Sequence, residues 1–348
     1  MKSGGAERVR VVALVIIATL LASAGVYLAS RPSSSPSSSM STNSSGNGLG
    51  SPPVSQSSSF TATPQTTSKN GSRISHVIVI LMENEEYGSV IGNSSAPYQT
   101  SLASSYALAG NYFAVAHPSL PNYMALIGGS TFGITSDCLP ADCFVPGNTT
   151  TIASLLDSHQ LSWREYAESM PTNCSQVDSG DGQYVAKHNP FVYFGSIAGN
   201  NGTGTTSGYC DSRVVPLTQF YTDLSSGALP NYSFVTPNIC DDAHSCPLAT
   251  GDQWLSGFVP KIINSSSFAS TAVFIVYDEG ASGDTSGGGG HIPCILVSPF
   301  AKSGYVSEAQ YSHYSLLATV EAIFNLGSLG RNDTSAAPMS DLFSGGIP

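Results

Sequence analysis

Three short runs, SHVIVILM (75–82), STAVFIVYD (270–278) and PCILVSPF (293–300), constrain the fold of this 348-residue chain more than any other feature. Each is dense in Val and Ile and only weakly alternating, the pattern of a strand buried on both faces. Burying both faces requires covering layers. Helical periodicity supplies them in LPNYMALIGG (120–129), TTIASLLDSHQ (150–160) and YSLLATVEAIFNLG (314–327), the last stopping on Gly327, a residue that ends helices readily. Strands and helices thus alternate at both ends of the main body, which predicts an α/β fold with a largely parallel central sheet flanked by helices. Residues 132–240 are rich in Gly, Asn, Thr, Tyr and Cys and have little regular period, so a loop-rich insertion or cap over the sheet edge is expected there.

The first 71 residues are of another kind. A basic leader (1–10) with Lys2, Arg8 and Arg10 precedes the uncharged run 11–29, VVALVIIATLLASAGVYLA, which is about long enough to cross a bilayer. The positive-inside rule puts the leader in the cytoplasm and the rest outside. The run is either a cleaved signal or a membrane anchor, so the protein is expected to be secreted or held on the outer face. Residues 30–71 are almost all Ser, Thr, Pro, Gly and Asn, too polar to bury a core, and read as a disordered linker ahead of a catalytic domain at 72–348.

Composition narrows the partners. The formal charge is -11 and no basic patch is present to neutralise phosphates along a polymer, which excludes nucleic-acid binding. Only 10% of residues are charged, so protonating carboxylates costs such a surface little, and an acidic exterior suits it. Nine Asn-x-Ser/Thr sequons, among them Asn201, Asn231, Asn264 and Asn332, favour a glycoprotein. Seven cysteines in an exported chain imply disulfides with one thiol left over. Cys138 with Cys143, Cys240 with Cys246 and Cys174 with Cys210 are possible pairs, although spacing does not determine connectivity. Cys294, in an apolar run, is the candidate free thiol.

Chemistry gathers at the strand ends. The first strand runs into Glu83 and Asn84 and the second into Asp278 and Glu279. In open α/β sheets ligands bind at the carboxyl edge. Three carboxylates and an amide oxygen there form an oxygen-rich set for one divalent cation, of a kind that suits several ions and specifies none. Ser119, in VAHPSLPNYMALIGGST (115–131), precedes an apolar helix with Pro121 in its first turn. In isolation that is the signature of a helix N-cap. The same free amides and the positive end of the helix dipole also suit a phosphate group. A hydroxyl held there beside a cation is then a nucleophile toward phosphorus.

In chain order, SHVIVILMEN, HPSLPNYMALIGGS, SWREYAESMP, KHNPFVYF, VTPNICDDAH and FIVYDEG…GGGGHIPCILVSPFAK resemble the phosphoesterase family of acid phosphatases and phosphocholine-specific phospholipases C. The resemblance runs over nearly all of residues 75–343 and implies an alkaline phosphatase-like fold. Residue by residue, it implies that Glu83, Asn84, Asp278 and Glu279 bind the metal and that Ser119 is the metal-bound nucleophile that becomes phosphoserine. It also implies that Asn122 and His188 contact the phosphate, with Lys187 adding charge, and that His244 protonates the leaving oxygen. Asp242, beside His244, and His291 and His313, in family-like segments, are further candidates, whereas His117 is read as ordering the turn before Ser119.

The expected function is therefore an extracellular, metal-dependent acid phosphatase acting on phosphate monoesters, with a small phosphate ester as partner. Membrane contact is expected through the N-terminal segment if it is uncleaved, and no motif specifies an oligomeric state. A phosphodiesterase or phospholipase C is the alternative enzyme. ENEEYG and GGGGHIP differ from the ENRSFD-like stretch and the Asp-His-Val of those relatives, which shifts weight to the monoesterase. A noncatalytic surface glycoprotein would need no nucleophile. A sulfatase is disfavoured because SLPNY lacks the arginine that follows its modified residue.

Overall fold

The strands of this chain are ordered by which of their faces must be hidden. In the computed structural model, residues 73–281 and 283–348 are described and belong to one compact unit. The leader 1–10, the apolar run 11–29 and the linker 30–71 lie outside the described residues. Among the described residues no helix is long and apolar enough to cross a membrane.

Eight strands form one sheet: β1 (His76–Met82), β2 (Ala107–Phe113), β3 (Trp163–Ala167), β4 (Val214–Pro216), β5 (Tyr232–Thr236), β6 (Thr271–Tyr277), β7 (Cys294–Val297) and β8 (Tyr305–Ser312). Their spatial order is β4-β3-β5-β1-β6-β7-β2-β8. β1 and β6 sit at the centre, which is why their Val/Ile runs are buried without interruption. They pair in parallel with Met82 opposite Tyr277, so the next residues, Glu83 and Asp278, emerge side by side.

Only β7 runs against its neighbours, β6 and β2. The chain turns back from β6 at the carboxyl edge instead of crossing over the sheet, and a reversal of that kind yields an antiparallel neighbour. The returning segment holds the glycine run 287–290. It packs against the backbone after β2, where a Cβ on Gly289 would come within 2.2 Å of Ala116 O and one on Gly288 within 2.4 Å of Val115 O. The run is therefore a close backbone packing element rather than a flexible loop, tied by Ala114 N–H to Gly290 O at 3.0 Å.

Residues 132–240 depart from the expectation of a cap alone, since they also contribute β3, β4 and β5 to one side of the sheet. WREYA, VVP and YSFVT were hidden because they are short and carry Arg164, Glu165 and Ser233 in buried or half-buried positions. The partners of Arg164 and Glu165 come from elsewhere in the chain: Arg164 donates to Asp223, and Thr236 Oγ1 donates to Glu165 Oε1 at 2.9 Å. Loop-rich structure does prevail between β3 and β4, where Cys174–Cys210 closes it. The other two bridges are Cys138–Cys143 and Cys240–Cys246, and Cys294 is a buried free thiol.

Candidate active site

The parallel strands deliver their acidic followers to one place. Glu83 and Asp278 are fully buried and Glu279 nearly so. Asn84 adopts φ +60°, a left-handed conformation that asparagine tolerates better than most residues, and its backbone N–H donates to Asp278 Oδ1 at 3.1 Å.

After β2 the chain turns through 114–118 into the helix Ser119–Gly128, every residue of which is buried. Ser119 is not the N-cap: it is the first helical residue, the N-cap position is Pro118, and that residue makes no side-chain cap bond. Its hydroxyl donates to Glu83 Oε2 at 3.1 Å and lies 3.5 Å from Glu279 Oε1. Asn122 fixes the preceding turn: Oδ1 accepts from Val115 and Ala116 N–H, both at 3.0 Å, and Nδ2 donates to Ala116 O and Pro118 O. All four of its hydrogen-bonding positions are spent on backbone. Asn122, expected to contact phosphate, has its side chain engaged in holding the turn that presents Ser119.

Two residues of this region were missed as site components. Tyr123, one helical turn on, donates its buried hydroxyl to Glu83 Oε1. His117 places Nδ1 2.6 Å from Glu279 Oε2, while Nε2–H donates to Asp284 O at 2.7 Å. The HPSLPNY motif held the signal for both, since it places a ring two before and a phenol four after the nucleophile.

A basic side faces these carboxylates. His188 is buried and stacks on Tyr123, with Nε2 3.3 Å from Glu83 Oε1 and Nδ1 3.2 Å from Asp242 Oδ2. Burial and then the Lys187 charge push its pKa down to about 3. Lys187 Nζ is 3.3 Å from His244 Nε2 and 2.7 Å from Asp137 Oδ2. Asp242 lies in the same cluster: it is buried, and Oδ1 accepts the His244 N–H at 2.8 Å. His244 too is lowered, to about 4, by burial, His188 and Lys187.

His291 does not take part. Its Nε2–H donates to Gly110 O at 2.9 Å, where β2 is irregular, and its ring stacks on Tyr87. His313 acts from behind, donating Nε2–H to the Asp278 carbonyl at 2.6 Å and taking the Tyr112 hydroxyl on Nδ1.

The donor set fits a cation. Burial, followed by the charges of Asp278 and Asp242, raises Glu83 well above the usual carboxylate range. Burial raises Asp278 to about 6, and burial with the Asp278 charge raises Glu279 to about 7. Asp278 Oδ2 is buried with no hydrogen-bond partner. Carboxylates crowded together out of water in this way call for a positive counter-charge. Glu83, His188 and His244 also bring ligand atoms within 4.8 Å of one another, with Glu83 common to both groupings.

Comparison with known proteins gives the family and the fold. Residues 93–327 match the phosphoesterase family. The chain belongs to that family. It is 34% identical to a phosphate-repressible acid phosphatase of Penicillium chrysogenum over 79% of this chain and 66% of that protein. It is also 32% identical to a phosphatidylinositol-3-phosphatase of Mycobacterium tuberculosis over 77% and 82% respectively. The chain spans less than two thirds of the length of the fungal acid phosphatases it matches. In fold it is similar to an alkaline phosphatase superfamily protein of Vibrio parahaemolyticus, with 15% identity, TM-score 0.51 and 78% and 74% of the two chains covered. The phosphoesterase fold is thus the alkaline phosphatase-like one that the six motifs implied.

Proposed function

We propose that this phosphoesterase is an extracellular, metal-dependent acid phosphatase that hydrolyses phosphate monoesters through a phosphoserine at Ser119. The single observation that carries the reading is Ser119 itself: a buried hydroxyl at a helix start that donates to Glu83 instead of capping the helix. Relatives named as acid phosphatases support the substrate class. Three disulfides in the domain support an oxidising, external location. Exposed Asn201 and Asn264 suit glycosylation better than Asn231 and Asn332, whose Nδ2 groups donate to Ser75 O and Gly129 O.

Glu83, Asn84, Ser119, Asp278 and Glu279 would hold one divalent cation, which supplies charge to lower the serine pKa and to offset phosphate charge. The chain's own groups do the rest. Glu83 and Glu279 orient the Ser119 oxygen and take up its proton as it attacks phosphorus. His188 and Lys187 face the phosphate oxygens. The Lys187 ammonium beside His244 makes that side better suited to an anion than to a second cation. His244 is the group placed to protonate the departing oxygen. The negative charge of bound ester offsets Lys187 and returns a proton to the ring, in which form it is a competent acid. In the second half the neutral ring receives a proton from the attacking water.

The test is hydrolysis of p-nitrophenyl phosphate and bis-p-nitrophenyl phosphate across pH, with and without chelator. Monoester turnover in acid, with Ser119→Ala lowering kcat by about a thousandfold or more, is expected. Full activity in Ser119→Ala, or turnover of the diester alone, would falsify the mechanism.

A further inference from the structure

One carboxylate beside the nucleophile has no part in the chemistry above. Asp137 immediately precedes the small loop closed by Cys138–Cys143, and its side chain is one quarter exposed. Oδ1 accepts the Leu120 N–H at 3.0 Å, and Oδ2 accepts from Lys187 Nζ at 2.7 Å. That N–H is the backbone amide directly after Ser119, at the positive end of a ten-residue helix without any side-chain cap from its own N-cap residue. Beyond the ammonium, 3.3 Å away, lies His244 Nε2. An amide and an ammonium bridged by the two oxygens of one anion are the donors that two oxygens of a phosphate group require.

We propose that Asp137 sets the phosphate affinity of this site: its carboxylate takes the donors beside Ser119 that a phosphate group uses, and phosphate binds only by displacing it. Lys187 remains a strong partner for either anion. Burial lowers its pKa, but the Asp137 hydrogen bond and charge outweigh burial and leave it raised. The Asp137 side chain, reached by solvent and borne on a loop, can swing aside without disturbing the sheet. Substrate and product phosphate meet the same competitor, so the contact weakens both and favours release of inorganic phosphate. The inference rests on the reading of Ser119 as the phosphate site.

The experiment is calorimetric titration of the full protein with inorganic phosphate, paired with KM and kcat for p-nitrophenyl phosphate. Loss of a charged competitor in Asp137→Ala is expected to tighten phosphate binding and lower KM by roughly tenfold, with a smaller fall in kcat. Asp137→Asn keeps an acceptor for Leu120 N–H but no charge for Lys187, and is expected to fall in between. Thermal unfolding checks that each variant is folded. If the alanine variant is not, the asparagine variant decides by the same criterion. Phosphate binding that is unchanged or weaker in a folded variant overturns the proposal, for Asp137 then orients Lys187. Wild type that binds phosphate but hydrolyses no ester defeats the catalytic reading alone, and the calorimetry still decides the role of Asp137.

Discussion

His117 Nδ1 and Glu279 Oε2 lie 2.6 Å apart, and the other oxygen of Glu279 is 3.5 Å from the nucleophile. The Asp284 carbonyl obliges His117 Nε2 to carry hydrogen, so the contact between Nδ1 and Oε2 needs a second one. Glu279 is thereby held in one orientation by the turn that presents Ser119. Replacing His117 with Ala is expected to weaken divalent-ion affinity by about 10- to 100-fold and to lower kcat. Asn at this position should restore part of both. Metal titration by calorimetry measures the first effect independently of turnover, and an unchanged affinity would show that Glu279 needs no such support.

Tyr123 gives Glu83 its phenolic donor from within the nucleophile helix. Tyr123→Phe keeps the ring stacked on His188 but removes that hydrogen bond, leaving a buried carboxylate oxygen short of a partner. A loss of about 1.5–3 kcal/mol in stability is expected from the charged hydrogen bond, together with weaker metal binding. Urea unfolding and metal titration together report both.

Chelation should make stability steeply pH-dependent. In the metal-free protein Glu83, Asp278 and Glu279 are raised chiefly by burial, the latter two to about 6 and about 7. The native state then binds more protons than the unfolded chain above about pH 4, so its stability falls as pH rises. This contribution is complete below about pH 4 and lost as pH passes through 6 to 7. Unfolding temperature in chelator should drop across that window, and added divalent ion should raise it most at the neutral end.

Glu321 shows the same sign far from the reaction. It is buried on the helix His313–Phe324, and burial with the Asp333 charge raises its pKa to about 8. Its contribution is full below about pH 4.5, declines as pH rises above that value, and is gone above about 8. Glu321→Gln, uncharged at every pH, should therefore stabilise the protein at neutral pH by on the order of a few kcal/mol and make little difference at pH 4. Thermal melts at both values check it, and a destabilised glutamine variant at pH 7.5 would count against a buried-charge penalty.

How far the chain could be read in advance depended on whether the signal was local. The Val/Ile runs of β1 and β6, the carboxylates after them, and the Ser119 turn are contiguous stretches, so the sheet type and the metal-binding candidates were visible as patterns. β3, β4 and β5 were not, because they are short and bury the polar residues Glu165 and Ser233, and the Thr236 hydroxyl that Glu165 accepts from lies 71 positions away.

The partners of the remaining polar residues come from tertiary contacts. Asn122 and His291 sit in motifs that promise ligand contact, but the first is spent on four backbone groups and the second on Gly110 and Tyr87. His117 lies in a turn and Asp137 in a loop, and the fold brings Glu279 and Lys187, 162 and 50 positions away, against them. Which strands end in carboxylates and which serine begins a helix follow from backbone periodicity and from neighbours in the chain, and are legible in the residues alone. Only the folded structure decided whether each polar side chain finds backbone, a second side chain or open space, because a hydrogen bond is made across a few ångströms and takes no account of sequence distance.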